Sequence, residues 1–248
     1  MSGHSKWANI RRTKGKTDAA RGQVFTKIGR EIAVAVKTGG ADPNSNSRLR
    51  DAIAKAKKNN MPNDTIQRSI KKASGELSSI NYEEITYEGY GVGGSAVIVK
   101  CLTDNKNRSA GDVRHAFDKL GGSMGSTGCV SYLFDNKGIL TLKKLPDMVE
   151  DDIIMMCLEA EAEDVVDYED CYEIITTPAN FSSVKDALEK QGLTFEDAEV
   201  RLIPQSTIDL NDEQLGKFER LIDTLEELDD VQEVYHNVNL PEEDEEEE

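Results

Sequence analysis

Three segments within the first 75 residues place apolar side chains at helical spacing, and none alternates as a strand would. In the first, Val24, Phe25, Ile28, Ile32 and Val36 make one stripe, with Asp18 near the start and Gly39-Gly40 as a stop. The second sets Leu49, Ala52, Ile53 and Ala56 on one face and ends at Asn59-Asn60, before Met61-Pro62. The third runs from about Asn63 through Ile66, Ile70 and Ala73 to Gly75. Single helices of this length are marginal in water, so the pattern predicts a three-helix domain whose faces bury one another.

Beyond Gly75 the spacing becomes strand-like. Glu84 to Glu88 alternates, and after a glycine-rich turn Ala96 to Leu102 is a stronger strand. A helix follows with Ala110, Val113, Phe117 and Leu120 inward, then Gly121-Gly122 as its stop and a strand from Cys129 to Phe134. This series lacks a closing helix and strand, which appear only at Asp212 to Leu228 and Val231 to Val238. Between them lies a self-sufficient series: strand 138–142, helix 148–160, strands 165–168 and 172–176, helix 181–190 and strand 198–203. Its β-α-β-β-α-β order is the ferredoxin-like pattern. The expected fold is α+β: an N-terminal three-helix domain (1–77) and two α/β-sandwich, ferredoxin-like domains. The third (136–205) is inserted into the second (78–135 and 206–240), and an acidic tail (241–248) is expected to be disordered.

Composition changes this picture through charge. The net charge of −17 averages two unlike regions. Through Gly75 there are 17 lysines and arginines against 5 acids; the remainder has 13 against 42, seven of them in the terminal run Glu242 to Glu248. Cations clustered on a helical domain gain affinity for a polyanion by releasing its condensed counterions, without reading bases. Lys6, Arg11, Arg12, Lys14 and Lys16 sit on a polar arm. Arg48, Arg50, Lys55, Lys57 and Lys58 lie off the apolar stripe of the second helix, and Arg68, Lys71 and Lys72 extend the patch on the third. The competing reading is that this face docks on the acidic remainder of the same chain.

Other chemistry finds little footing. Cys101, Cys129, Cys157 and Cys171 are far apart, as are His4, His115 and His236, so neither a zinc set nor a thiol catalyst is expected. The acid pairs Glu83-Glu84, Asp151-Asp152 and Glu226-Glu227 have no base or nucleophile beside them. No cofactor and no small-molecule substrate are expected. No run approaches the roughly 18 apolar residues of a membrane span, and the start has no apolar signal core, so the expected compartment is the cytoplasm.

Several strings are more specific than any of these patterns: Gly3-His-Ser-Lys-Trp-Ala-Asn-Ile10 followed by Arg11-Arg12, Phe25-Thr-Lys-Ile-Gly-Arg-Glu-Ile32, Leu49-Arg-Asp-Ala-Ile-Ala-Lys-Ala-Lys57 leading into Asn60-Met-Pro62, Tyr87-Glu-Gly-Tyr-Gly91 and Leu102-Thr-Asp-Asn-Lys-Asn-Arg108. In this order they resemble the YebC/PmpR family of bacterial proteins, whose organellar relatives act as translational activators. Val92 stands where that family usually has proline, and Cys129 where it has serine. The resemblance implies three domains, no catalytic activity, and one of two roles. One is transcriptional regulation by DNA binding; the other is assistance to the translating ribosome through rRNA.

Within these strings, Trp7 reads as an anchor of the arm before a base-stacking group. His4 reads equally as a phosphate contact or a helix cap. Gly89 to Gly94 runs into a strand and not a helix, so it reads as a turn and not a nucleotide loop. Gly121 to Gly128 is either a recognition loop or a helix stop running into a loop. In Thr103 to Arg108, Asp104 and Asn107 are candidate caps, with Lys106 and Arg108 as candidate phosphate contacts. The 38 to 46 stretch exceeds a helix-turn-helix turn, and no recognition helix stands out.

Overall fold

The computed structural model describes residues 18–75, 81–146 and 148–240, with side chains from Gly22 onward. The helices α1 (Asp18–Gly39), α2 (Ser47–Lys58) and α3 (Asn63–Ser74) follow the apolar stripes of the sequence. Ile28, Ile32, Leu49, Ala56 and Ile66, all below 3% exposed, form their shared core. The long α1 packs against both shorter helices. Gly40, at φ +87°, ends α1 in the left-handed conformation that favours glycine. The buried Asn46 side chain then welds the junction. It accepts from the Leu49 amide at 3.1 Å as the cap of α2 and donates to the carbonyls of Ala35 and Gly40 at 2.7 and 2.8 Å.

The described chain clusters into two compact units. The first contains the bundle, residues 81–131 and Leu210–His236; the second contains Tyr132–Asp209 with residues 237–240. In the first unit β1 (Glu83–Tyr90), β2 (Ala96–Thr103), β3 (Ser123–Met124) and β8 (Val231–His236) form an antiparallel sheet in the order β3-β1-β2-β8. The closing strand thus returns from more than 100 residues downstream to pair with β2, in the register Val97 to His236. Helices α4 (Lys106–Lys119) and α7 (Asp212–Glu226) pack against each other and the sheet, burying Val113, Phe117, Phe218 and Leu221. An Asn211/Gln214 capping box opens α7.

The second unit is a four-stranded antiparallel sheet in the order β5-β6-β4-β7: β4 (Phe134–Lys143), β5 (Asp164–Asp167), β6 (Cys171–Thr176) and β7 (Asp197–Pro204). With α5 (Glu150–Glu159) and α6 (Phe181–Lys190) it has ferredoxin-like connectivity. Leu140, Leu142, Ile153, Cys157, Ile174, Val184 and Leu188 make its core.

Two local expectations fail. Cys129 to Phe134 is not a strand: a turn and a short 3-10 helix (Ser131–Leu133) occupy it, and only Phe134 enters β4. The apolar run there is used by the loop, with Val130 fully buried, and pairing falls instead to Ser123–Met124 against Tyr90 and Gly89. The cap of α4 is neither Asp104 nor Asn107 but Asn105, whose side chain accepts from the Arg108 amide at 3.1 Å. Its buried face is Ser109, Val113, Ala116 and Phe117, with Ala110 and Leu120 only half-buried.

Within the first unit a buried carboxylate gathers donors from both the bundle and the sheet. Asp230, 6% exposed, sits in the turn before β8. It accepts from Ser109 Oγ at 2.6 Å, Thr103 Oγ1 at 3.0 Å, the Arg108 guanidinium at 2.8 Å and Arg30 of α1 at 2.5 Å. Burial opposes its ionisation, but the bonds from Ser109, Arg108, Thr103 and Arg30 outweigh burial and hold it below the usual carboxylate range. The α1 side chains also cover the C-terminal end of α7. Lys27 donates to the Glu226 carbonyl at 2.7 Å, Gln23 to that of Glu227 at 3.2 Å and Arg30 to that of Asp229 at 2.6 Å. Removing one partner of a buried charge cluster strands the others, so Asp230→Ala is expected to lose about 3 kcal/mol in urea unfolding. Lys217→Ala, which breaks an exposed pair with Glu213, serves as the control. A loss no larger than the control's would strip Asp230 of this role.

Candidate nucleic-acid interface

The cations of the bundle divide into two sets. The first is engaged by the chain itself: Lys27 and Arg30 as above, the exposed Arg48 in an ion pair with Glu84 of β1, and the exposed Lys55 with Glu31 at 2.6 Å. Docking of basic helices on the acidic remainder is therefore real, and Arg48, a candidate polyanion contact, takes part in it. The outward set comprises Arg50, Lys57, Lys58, Arg68, Lys71 and Lys72, all exposed. Arg50 and Lys57, seven residues apart, lie on one side of α2, about 10 Å apart along its axis. Arg68, Lys71 and Lys72 share the face of α3 opposite Ile66, Ile70 and Ala73. Arg50, Lys57, Lys71 and Lys72 make no ion pair among the described residues. Lysines in the last turns of α2 and α3 also complement the helix dipoles, which favours them there apart from any ligand. The candidates Lys6, Arg11, Arg12, Lys14 and Lys16, with His4 and Trp7, lie outside the described residues.

The connections bear on duplex reading. Residues 40–46 between α1 and α2 are too long for a helix-turn-helix turn, but residues 59–62 between α2 and α3 have that length, and α3 carries three outward cations.

Arg108 does not present a free guanidinium. Hydrogen bonds to Asp230 and then Asp104 hold it well above its ordinary value. It lines a cleft of about 550 Å³ with Arg30, in which the carboxylates of Asp104, Asp112, Glu227, Asp229 and Asp230 outnumber the two cations. Lys106 pairs with Glu83. Neither residue therefore faces outward as an unopposed phosphate contact.

The glycine-rich segment after α4 is a tethered loop. Gly121 (φ +79°) stops the helix, and the buried Glu88 carboxylate of β1 gathers the far end by accepting from the amides of Gly128, Val130 and Ser131 at 2.7 to 2.9 Å. Burial pushes this carboxyl up, and the three amides more than reverse it, leaving it below the usual range. Gly89 to Gly94 joins β1 to β2 as a turn, with Gly93 and Gly94 at φ +70° and +79°. Burial favours the protonated form of all four thiols. Burial pushes Cys101 and Cys171 up to about 12, Cys157 to about 11 and Cys129 upward. Among the described residues no cluster of histidine, cysteine or carboxylate fits a metal ion, and no helix is long and apolar enough to cross a membrane.

The model of the TACO1/YebC protein N-terminal domain matches residues 5–76, and that of the TACO1/YebC second and third domain matches residues 82–238. The chain belongs to the TACO1/YebC family. Relatives named "Probable transcriptional regulatory protein" are 59% identical over 248 residues in Ruminiclostridium cellulolyticum (all of both chains) and 58% identical over 238 residues in Acetivibrio thermocellus (96% of this chain, 98% of that one). The crystal structure of a conserved hypothetical protein from Aquifex aeolicus superposes with a TM-score of 0.83 at 45% identity, covering 98% of this chain and all of that one. The YebC-type strings now have visible work. Phe25 to Ile32 supplies Lys27 and Arg30, Tyr87 to Gly91 supplies Glu88, and Leu102 to Arg108 supplies Thr103 and Arg108. Sequence reasoning missed Lys27, Arg30, Glu88 and Asp230; a polar residue set inside an apolar strand or helix face was the one available signal for the first three.

Because the folded Glu88 carboxyl is depressed, its contribution is full above the ordinary carboxylate range and is lost as pH falls through the folded value. Glu88→Gln is expected to cost on the order of 1–3 kcal/mol. It should also speed amide exchange at Gly128, Val130 and Ser131 at neutral pH, imitating acid in the wild type. Unchanged exchange at those three amides would refute the tether.

Proposed function

We propose that this chain is a non-catalytic nucleic-acid-binding regulator of gene expression, acting as a DNA-binding transcriptional regulator. The observation that carries the reading is the outward face of α2 and α3, where Arg50, Lys57, Lys71 and Lys72 make no ion pair among the described residues, while carboxylates engage Arg30, Arg48 and Lys55 and a backbone carbonyl engages Lys27. The names of the relatives point the same way. Arg50, Lys57, Lys58, Arg68, Lys71 and Lys72 contact phosphates, with Lys6, Arg11, Arg12, Lys14 and Lys16 of the arm extending the contact and Arg48 at its edge. A ribosome-associated factor contacting rRNA is the second reading. It is favoured by the preponderance of lysine in the outward set, since point-charge contacts to phosphate carry no sequence information.

Duplex binding measured by fluorescence anisotropy across a salt series tests the first reading. Replacing Arg50, Lys57, Arg68, Lys71 and Lys72 by alanine should weaken binding and flatten the plot of log affinity against log salt by about 0.9 for each phosphate that is no longer neutralised. Arg11, Arg12 and Lys14 to alanine should do the same for the arm. An unchanged slope in both variants overturns nucleic-acid binding by this surface. Sedimentation of the native chain with ribosomes after DNase treatment, without sequence-specific duplex crosslinks, would select the rRNA reading.

A further inference from the structure

The described residues expose seven large hydrophobic side chains, and four of them, Leu145, Val149, Met155 and Leu158, fall in one stretch at and before α5. This helix is apolar on two sides. Ile153 and Cys157 enter the core of the second unit at 3% and 0% exposure, while Met155 and Leu158 are 59% and 66% exposed on the other side. Three residues apart, the two share a face, with Asp151 one turn before Met155 on the same face. Leaving leucine and methionine there has no folding benefit, because the inner face already satisfies the core. Exposed apolar side chains grouped within a polar rim mark association surfaces.

The rim specifies the partner's charge. No lysine, arginine or histidine occurs between Lys144 and Lys185, a span that holds 12 acids. Asp151, Asp152, Glu159 and Glu161 are exposed and form no ion pair among the described residues. An acidic rim repels nucleic acid, and it disfavours a symmetric pairing of this face with itself, which would bring the same carboxylates against their own kind. A helix whose apolar stripe covers Met155 and Leu158 while its lysines and arginines meet Asp151, Asp152 and Glu159 satisfies both features at once. The methionine side chain adapts to stripes of differing shape.

We propose that the outward face of α5 is a docking surface for a basic amphipathic helix of a partner protein. It is separate from the cation set of the bundle and stands or falls independently of the nucleic-acid reading.

The full chain is titrated with a fluorescently labelled helical peptide of about five turns, built of leucine and lysine at 3.6-residue period. A leucine and glutamate peptide of the same pattern is the comparison. Met155→Ser with Leu158→Ser removes the apolar face while leaving every carboxylate in place, the terminal acidic run included. As both positions are exposed, the variant is expected to keep the wild-type circular dichroism spectrum. Binding of the leucine and lysine peptide should weaken at least about tenfold in this variant. The leucine and glutamate peptide should not bind either chain. Equal affinity of the two chains would mean capture by charge alone and overturn the proposal. Equal affinity of the two peptides would do so as well, as would a wild-type dimer in sedimentation that the double variant abolishes, because the occupant would then be a second copy.

Discussion

A carboxylate taken out of water must find compensation for its lost hydration, and around Asp230 that requirement organises the first unit. Hydroxyls of Thr103 and Ser109 and guanidinium groups of Arg30 and Arg108 converge on it from α1, the end of β2 and the start of α4. Each donor belongs to an element whose position is otherwise set by its own packing. Satisfying the one acceptor therefore fixes where the bundle meets the sheet. The same turn carries the Asp229 carbonyl that Arg30 also reaches, and α1 covers the C-terminal end of α7 beside it. Loss of any donor leaves a buried charge short of partners, which is why this junction behaves as one cluster and not as separable pairs.

That junction also sorts the basic residues. A strongly positive bundle attached to a negative remainder would engage all its cations in self-association if every charge faced inward. Helical periodicity prevents this. Lys27 and Arg30 lie on the side of α1 that meets α7 and β2, whereas Arg50 and Lys57 on α2, with Arg68, Lys71 and Lys72 on α3, point away from the apolar stripes holding those helices to α1. Internal neutralisation and an outward positive surface coexist because they occupy different helical faces.

The second unit carries the opposite polarity. Its sheet and two helices close a core around Leu140, Ile174 and Leu188, yet α5 keeps a second apolar side amid uncompensated carboxylates. A chain with a cationic surface on one unit and an acid-rimmed apolar face on the other has two chemically distinct surfaces. Neither competes with the other for the same class of partner.

Periodicity alone determined the three helices of the bundle and most strands, because alternation and helical spacing are imprinted residue by residue by the need to bury one face. Composition by segment likewise located the cation-rich helices. Only the tertiary structure decided which cations remain outward, because Arg48 and Glu84 are 36 residues apart and Arg30 and Asp230 are 200 apart, and no local pattern encodes such pairing. It also decided that Cys129 to Phe134 is not a strand, although its apolar content suits one. Glu88 draws the Gly128, Val130 and Ser131 amides onto its carboxylate, and backbone amides committed to those bonds are not free to join a sheet.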